Sequence, residues 1–597
     1  MQRTMKHRYG ICPHCGCGCG LYLVEQDGWP SGVTASQGHP FSRGQLCARG
    51  WTCYQLVRSA ARLKAPLLRS DGQLRPTDWT RALEAAGKRL REVRDRHGQG
   101  SIGIIASARL TNQEARLVRS MARDVLETPH CDSAARLGWV SAALPKPGKA
   151  ADIDEADLIV VLGAGLLEEN PILGARVMSR AKPAEDRPYA SPDLTHSIPP
   201  APAGLVVLDS RRSDLSDLAK PFLKAKAGRE GNIMIALLGR LAELDKSGRA
   251  DLAKLRETLS KIPQASLLEG SGVGQNELAL AAERMAGAKR VLIIISRGLW
   301  LHEGGHQSWA AAANIAELLR GKATVLQAGA NANDCGCGRI LGQAGGMSYL
   351  EIIEALGKKQ LRALVLIGED PLRWLPGSED VAKALAAAES VVVIDSFANN
   401  ESSAYAEVVL PMPLTLEKTG SFDNMEGAEQ HFEAAWETDG RQLEETLAGL
   451  AEYLGRKLSP GQEAKPKPVE GLVPFKAIDL AQDDGPFSLE LGSVYPHLLG
   501  GELGTANTPH LSREFAGNYL ELHPDDISEL KLRAGWRAKV SSKAGSLVTT
   551  IKANPDLLRK TAFMPGHFGG TALAPLAYDR ELKTPVLRGI GIRIEKI

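Results

Sequence analysis

The sequence predicts a multidomain α/β protein with a small cysteine-rich domain at its amino end and a β-barrel at its carboxyl end. Three observations carry this. Short, uniformly apolar runs recur along the middle of the chain, each followed by helical periodicity. Four of nine cysteines fall within eight positions, in "CPHCGCGC" (12–19). After about residue 485 the pattern turns to short alternating strands. At 597 residues, with 43% hydrophobic and 24% charged residues, the chain is long enough for several buried cores.

The first 60 residues are rich in Cys and Gly, and "LYLV" (21–24) reads as a hairpin strand. From Ser101, "SIGIIAS" reads as a buried strand and "TNQEARLVRSMARDVL" as the helix after it, with Asn112 as its cap. The unit recurs in "DLIVVLG" before "PILGARVMSRA", in "GLVVLDS" before a helix from about Asn232, and in "RVLIIIS" before "SWAAAANIAELL" and "ATVLQ". "LRALVLIG" and "SVVVIDS" follow, with "EDVAKALAAA" between them. Strands this apolar belong in parallel sheets covered on both faces. The expected domains are 1–60, a cluster domain; 61–100 with 330–455, and 101–329, two doubly wound α/β domains; 456–485, a linker; and 486–597, the barrel. The barrel strands are read from "WRAKVSS", "GSLVTTIKA", "KTAFMPG" and "GIGIRIEKI". The Pro-rich stretch 182–203 reads as a surface insertion.

Charge excludes some function classes. With 72 basic and 70 acidic residues, no global field draws in nucleic acid or an anionic membrane. The stretch "MQRTMKHRYGIC" has no apolar core of signal-peptide length, and no apolar run approaches the roughly 18 residues of a membrane span. A cytoplasmic location without membrane insertion is expected, and in a reducing cytosol clustered cysteines read as metal ligands rather than disulfides.

Cys12, Cys15, Cys19 and Cys47 have the spacing C-x2-C-x3-C-x27-C. Thiolates are soft ligands, and a chain returning three times within eight residues can wrap a [4Fe-4S] cube and leave its fourth corner for a distant cysteine. The competing assignment is a structural zinc site, which favours paired C-x2-C knuckles; only one such knuckle is present. Cys17 competes with Cys19 as third ligand, and Cys53 is a spare thiol.

The run "CPHCGCGCGLYL" followed by "GQLCARGW" resembles the amino-terminal cluster domain of the molybdopterin oxidoreductase superfamily, in its formate dehydrogenase large-subunit branch. Further similar segments follow in family order, among them "NPILGARV", "VVLDSRRSDL", "LVLIGEDPL" and "VVVIDSFANNESSAYAEVVLPMPLTLEKTGSFDNMEG". The resemblance implies a four-domain fold ending in a six-stranded barrel of the double-psi type. It implies a bis-pterin-dinucleotide site, with molybdopterin guanine dinucleotide and molybdenum or tungsten. It also implies site residues: Arg49 between cluster and pterin, with a surface arginine capping a turn as the alternative, and Asp209 and the segment Gly368, Glu369, Asp370 at the nucleotide ends.

Against that resemblance stand several departures. The catalytic metal of formate dehydrogenases is ligated by a cysteine or selenocysteine followed by histidine, and the corresponding segment here places Gly138 and Trp139. Cys131 lies seven residues earlier, after His130, and would need a redrawn loop to replace it; buried lone cysteines are usually inert. Cys335 and Cys337 fall where the resemblance implies a loop near the pterin and read as glycine-flanked turn residues, with ligation as the alternative, and Ala572 and Leu573 stand where an asparagine commonly touches the pterin in the family.

Two functions are therefore expected in competition. The first is an iron–sulfur electron-transfer subunit of a multisubunit oxidoreductase, partnered by ferredoxin-like iron–sulfur and flavin/NADH-linked subunits and resembling the large iron–sulfur subunit of NADH-quinone oxidoreductase. The second is a catalytic molybdenum or tungsten enzyme whose metal has no protein ligand or a relocated one. The first is favoured because the active centre has changed while the cluster motif has not.

Overall fold

The computed structural model describes residues 4–140, 146–163, 165–183, 201–342, 345–438, 440–461, 472–473, 485–497, 502–515 and 517–597. Most of the expected 182–203 insertion and of the 456–485 linker lies outside these. The chain's contacts divide it into two compact units, 1–141 with 329–466 and 496–517, and 142–328 with 467–495 and 518–597.

The first unit opens with an antiparallel three-stranded sheet of Met5–Ile11, Gly20–Gln26 and Trp29–Ala35. Ile11 pairs with Gly20, so the cysteine loop 12–19 is the turn of a hairpin, closed by Cys12 N–H donating to Cys19 C=O at 2.9 Å. Its larger sheet has seven strands in the order Gln73–Pro76, Leu67–Ser70, Val408–Pro411, Ser390–Asp395, Ala363–Ile367, Ile102–Ala106 and Cys131–Ser133, the last five parallel. Every residue of Ile102–Ala106, Ala363–Ile367 and Ser390–Asp395 is buried, as strands sandwiched between helices must be. The helix Trp79–His97 covers the sheet with Ala82, Leu83, Ala86, Leu90 and Val93, spaced three and four apart. It starts where Asp78 Oδ1 accepts from Arg81 N–H at 2.9 Å and stops at Gly98, whose φ of +87° suits a residue without Cβ.

Two expectations are corrected here. The strand Ile102–Ala106, assigned with 101–329, pairs with Ala363–Ile367 in the first unit. Uniformly apolar strands carry no local mark of which sheet they join; side-chain packing decides. The cap of the following helix, Asn112–Ser120, is Thr111 rather than Asn112: its hydroxyl accepts from Glu114 N–H while Glu114 Oε2 accepts from Thr111 N–H.

The second unit holds a five-stranded parallel sheet, ordered Phe222–Lys224, Gly204–Asp209, Leu158–Leu162, Val291–Ile295 and Ala323–Gln327. The helix Glu230–Leu244 is apolar almost all round and buried in this layer. The unit ends in a closed six-stranded barrel of Phe487–Gly492, Thr561–Pro565, Tyr519–Leu522, Ser546–Ala553, Arg537–Ser541 and Arg588–Lys596. Among the described residues no helix is long and apolar enough to cross a membrane.

Candidate cofactor site

The cysteine hairpin is held from several sides. Gly18 takes φ +55°, letting its N–H reach Cys15 C=O at 3.2 Å, and Gln430 donates to Gly18 C=O at 3.1 Å. Gly16 donates to Gly329 C=O at 3.0 Å and accepts from Met425 N–H at 2.9 Å. A Cβ on Gly16 would lie 3.0 Å from Gly329 Cα, so this approach demands glycine. Cys47 begins the short helix Ala48–Thr52.

Cys12, Cys15 and Cys19 are buried and Cys47 is half-buried. Burial first, then Cys53, Cys47 and Cys15, push the Cys12 thiol well above its ordinary value. A hydrogen bond with Cys17, then burial, does the same to Cys15. At Cys19 a hydrogen bond with Cys17 lowers the value, but burial carries it up to about 11. Cys17 thus sits between Cys15 and Cys19, while Cys53, pushed by burial up to about 12, faces Cys12 and Cys47. If ionised, sulfurs so placed would repel one another, and a positive centre among them, as an iron–sulfur cube would supply, would offset that repulsion. Among the described residues no three His, Cys, Asp or Glu side chains converge on a point that could hold a single ion. A cube offers four separate iron corners and asks for a wider spread of sulfurs.

Arg49 is fully buried, which answers the surface-arginine alternative. Burial works to discharge it, but Cys47 and Cys15 beside it hold the guanidinium above its ordinary value. His14, between Cys12 and Cys15, is 2% exposed, and its Nε2 has no hydrogen-bond partner. Burial, then Arg49 and Arg109, keep this imidazole well below its ordinary basicity.

His14 also lines a cavity of roughly 690 Å³, mouth included, at the carboxyl ends of the first unit's parallel strands. Ser107, Arg109, Gly368, Asp395 and Lys418 share its wall. Strand ends of doubly wound sheets are where ligands bind. Lys418 pairs with Glu114 at 2.9 Å, and Arg109 donates to Asn331 Oδ1 at 2.7 Å. Cationic groups, an unpartnered imidazole nitrogen and Gly368 at φ +66° suit a phosphate-bearing ligand.

The expected nucleotide residues divide between the units. Gly368, Glu369 and Asp370 follow the strand Ala363–Ile367. Glu369 is pushed by burial up to about 8 and accepts from Tyr349 Oη and Trp374 Nε1, both at 3.3 Å. Asp370 accepts from Ser402 Oγ at 2.7 Å, Ser402 N–H at 3.0 Å and Glu401 N–H at 2.7 Å, so its carboxylate holds the local fold together. Asp209 ends the strand Gly204–Asp209 in the second unit, where burial pushes it up to about 7 and it accepts from Arg211 N–H at 2.9 Å.

The sequence leads one to expect Gly138 and Trp139 where the resemblance implies a metal-ligating pair. Gly138 ends the helix Ala135–Gly138 and is buried; a Cβ there would lie 2.7 Å from Asp334 Oδ2 and 3.2 Å from Ala330 Cβ. Asp334 is fixed by Asn331, whose N–H donates to Oδ2 at 2.7 Å and whose Nδ2 donates to Oδ1 at 3.0 Å. Cys131 lies in the edge strand Cys131–Ser133, opposite Ile104, buried and with its thiol pushed up by that burial. Cys335 and Cys337 are not turn residues but part of the helix Asp334–Ile340. Gly336 there serves close approach, since a Cβ would lie 2.1 Å from Asn112 Oδ1. His14, Arg109 and Asp334 went unnoticed in the sequence. The one signal was positional: His14 stands inside the cysteine motif and Arg109 just beyond a strand end.

Comparison with known proteins covers the whole length. Residues 62–445 match the family description "Molybdopterin oxidoreductase", residues 5–59 its Fe4S4 domain, and residues 499–585 the molydopterin dinucleotide binding domain. The chain is 27% identical to the F420-dependent formate dehydrogenase subunit alpha of Methanocaldococcus jannaschii, over 98% of this chain and 99% of that protein. It is 25% identical to the NADPH-Fe(3+) oxidoreductase subunit alpha of Geobacter sulfurreducens, over 94% of this chain and 71% of that protein. Among solved structures, the acetylene hydratase from Pelobacter acetylenicus superimposes with a TM-score of 0.74 at 14% identity, over 99% of this chain and 100% of that one, which shows the fold.

Proposed function

Because this chain belongs to the molybdopterin oxidoreductase family, whose cofactors are a [4Fe-4S] cluster and a molybdopterin dinucleotide with molybdenum or tungsten, we propose that it is the iron–sulfur electron-transfer subunit of a multisubunit oxidoreductase. Cys12, Cys15, Cys19 and Cys47 hold the cluster, and its partners are ferredoxin-like iron–sulfur and flavin/NADH-linked subunits. The observation that carries the reading is Gly138. It has no side chain to offer a metal, and the space a ligating side chain would occupy is filled by the Asp334 carboxylate. The Fe4S4 domain match and the six gathered thiols support the retained half of the proposal.

When bound, the cluster supplies reversible one-electron chemistry, with a potential set by its ligands, nearby charge and solvent access. The chain's residues do the rest. The hairpin excludes water from three cysteines, and Arg49 places a buried positive charge against Cys47 and Cys15, favouring the reduced state. His14 and Arg109 line the cavity wall next to this motif and would hold the anionic end of a pterin there, with Ser107 and Gly368 at the strand ends.

A second reading is catalysis at a metal without a protein ligand. The dinucleotide-binding match and the full-length similarity to a formate dehydrogenase subunit alpha favour it. One experiment separates the two: the holoprotein is assayed for formate-dependent dye reduction, with iron, molybdenum, tungsten and pterin counted in the same preparation. The electron-transfer reading expects about four irons per chain, a dithionite-reducible cluster and no formate turnover. Formate turnover overturns it in favour of the second reading, and absence of iron overturns both.

A further inference from the structure

Charge is balanced over the whole chain, at a net +2, but not within the barrel. Residues 530–555 hold Lys531, Arg533, Arg537, Lys539, Lys543 and Lys552, all exposed, and no acidic residue. Alternation along the strands decides where such side chains point. In Arg537–Ser541, Ala538 and Val540 are buried while Arg537 and Lys539 are exposed; in Arg588–Lys596, Ile592 and Ile594 are buried while Arg593 and Glu595 are exposed. The register sets Lys539 between Val548 and Glu595, Ser541 between Ser546 and Arg593, and Arg537 beside Thr550. Paired residues of neighbouring strands share a face, so Arg537, Lys539 and Arg593 lie together on the outside of the barrel, with Glu595 as the acid among them. Among the described residues no carboxylate forms an ion pair with any of the three. At the rim of this face Trp536 is 40% exposed, with the cationic ends of Arg533 and Lys596 at 5.5 Å and 4.9 Å from its ring. Val548 and Ile597, 41% and 68% exposed, add apolar surface. Other strands of the barrel are covered from within the same unit: the Arg211 guanidinium lies over the Phe563 ring at 3.8 Å, and Ser488 Oγ donates to Ala227 C=O at 3.3 Å.

We propose that this outer face of the barrel docks the protein on an anionic lipid surface, with Arg537, Lys539 and Arg593 against the headgroups and Trp536 at their level. Such docking goes beyond the electron-transfer reading and serves either redox role. A closed barrel is convex outward, and its cations are spaced by the strand register rather than gathered round a pocket. A bilayer is flat, laterally mobile and negatively charged, so it meets spread cations without matching their spacing, whereas a folded acidic partner needs a complementary shape. Each Lys or Arg near an anionic leaflet strengthens attachment about fivefold, and an amphipathic Trp settles among the headgroups. Either signal alone gives marginal binding; together they hold a protein at the surface reversibly. The attachment is peripheral, and none of the helices among the described residues is long and apolar enough to cross.

The test sediments the full-length holoprotein with sucrose-loaded vesicles of phosphatidylcholine alone, or of phosphatidylcholine with about one-third phosphatidylglycerol, at about 50 mM and about 300 mM salt. The protein is expected to bind the anionic vesicles at low salt, to leave them at high salt and to ignore the neutral ones. Arg537→Glu combined with Lys539→Glu should weaken binding about thirtyfold or more, and Arg593→Gln, on another strand, about fivefold. Trp536→Ala should weaken it several-fold and abolish the blue shift of tryptophan emission that anionic vesicles induce. Lys289→Glu reverses an exposed charge just before the strand Val291–Ile295, away from the barrel, and should change nothing. Iron content and unfolding temperature are recorded for every variant; if the double variant does not fold, Arg593→Gln and Lys539→Gln carry the test with about fivefold each. Absent binding, equal binding to neutral vesicles, or a Lys289→Glu effect as large as that of Arg593→Gln overturns the proposal. Binding to poly-L-glutamate as tight as to anionic vesicles, with Trp536→Ala without effect on either, also overturns it and reassigns the face to an acidic protein.

Discussion

Replacing Arg49 by methionine tests the electrostatic role of the buried cation. The guanidinium is fully buried and hydrogen-bonded to Cys47, with Cys15 and Cys12 also acting on it. A charge bonded to a ligating sulfur lies roughly 7 Å from the centre of a cube; at an effective dielectric constant of about 20 its attraction for one added electron is about 2.4 kcal/mol. Since about 1.4 kcal/mol corresponds to 59 mV for a one-electron couple, Arg49→Met should lower the cluster potential by about 100 mV. Arg49→Lys keeps the charge and should stay within roughly 30 mV of wild type. An EPR-monitored redox titration of the holoprotein reads both. With the cluster loaded, an Arg49→Met shift below about 30 mV, or one toward higher potential, would refute the assignment of Arg49 as the charge that favours electron arrival.

Gly138→Ala drives a Cβ to within 2.7 Å of Asp334 Oδ2 and should destabilise by about 1–3 kcal/mol, seen as a lowered unfolding temperature; an unchanged temperature would mean the Asp334 carboxylate is not held where it blocks a ligand. Arg588, buried with Glu230 at 2.6 Å and in contact with Glu490, neutralises two buried carboxylates. Arg588→Met should cost about 3–5 kcal/mol, partly recovered by adding Glu230→Gln and Glu490→Gln, as calorimetry of the single and triple variants would show. Glu369 carries its own pH dependence: burial raises it to about 8, so between about 4.3 and that value the folded chain keeps a proton the unfolded chain has released. The Glu369 contribution to stability therefore falls as pH rises through this window, and Glu369→Gln should flatten the decline in unfolding temperature between about pH 5 and pH 8.5; parallel profiles would contradict it.

The parts legible in the sequence were those encoded by short-range pattern. Alternation at 21–24 announced the strand Gly20–Gln26, and the apolar runs at 158–162, 291–295 and 390–395 announced buried parallel strands. Alternation after residue 485 announced a barrel, which closes with six strands. What was missed depended on partners distant in the chain. Ile102–Ala106 is as apolar as the strands it was grouped with, and only its packing beside Ala363–Ile367 assigns it to the first unit. Cys335 and Cys337 looked like turn residues because of their glycines, yet Gly336 admits the Asn112 and Asn333 side chains against a helix.

The sequence by itself determined the family, the four-cysteine motif and the Gly138–Trp139 pair, because each is a matter of residue identity at a fixed spacing. Tertiary structure alone decided what fills the space beside Gly138 and which charges surround the thiols. Asp334 is nearly 200 positions from Gly138, and Arg109 and His14 meet at one cavity from separate segments. Electrostatics and packing act through distance in space, and a linear pattern records no such distance until the sheets have closed.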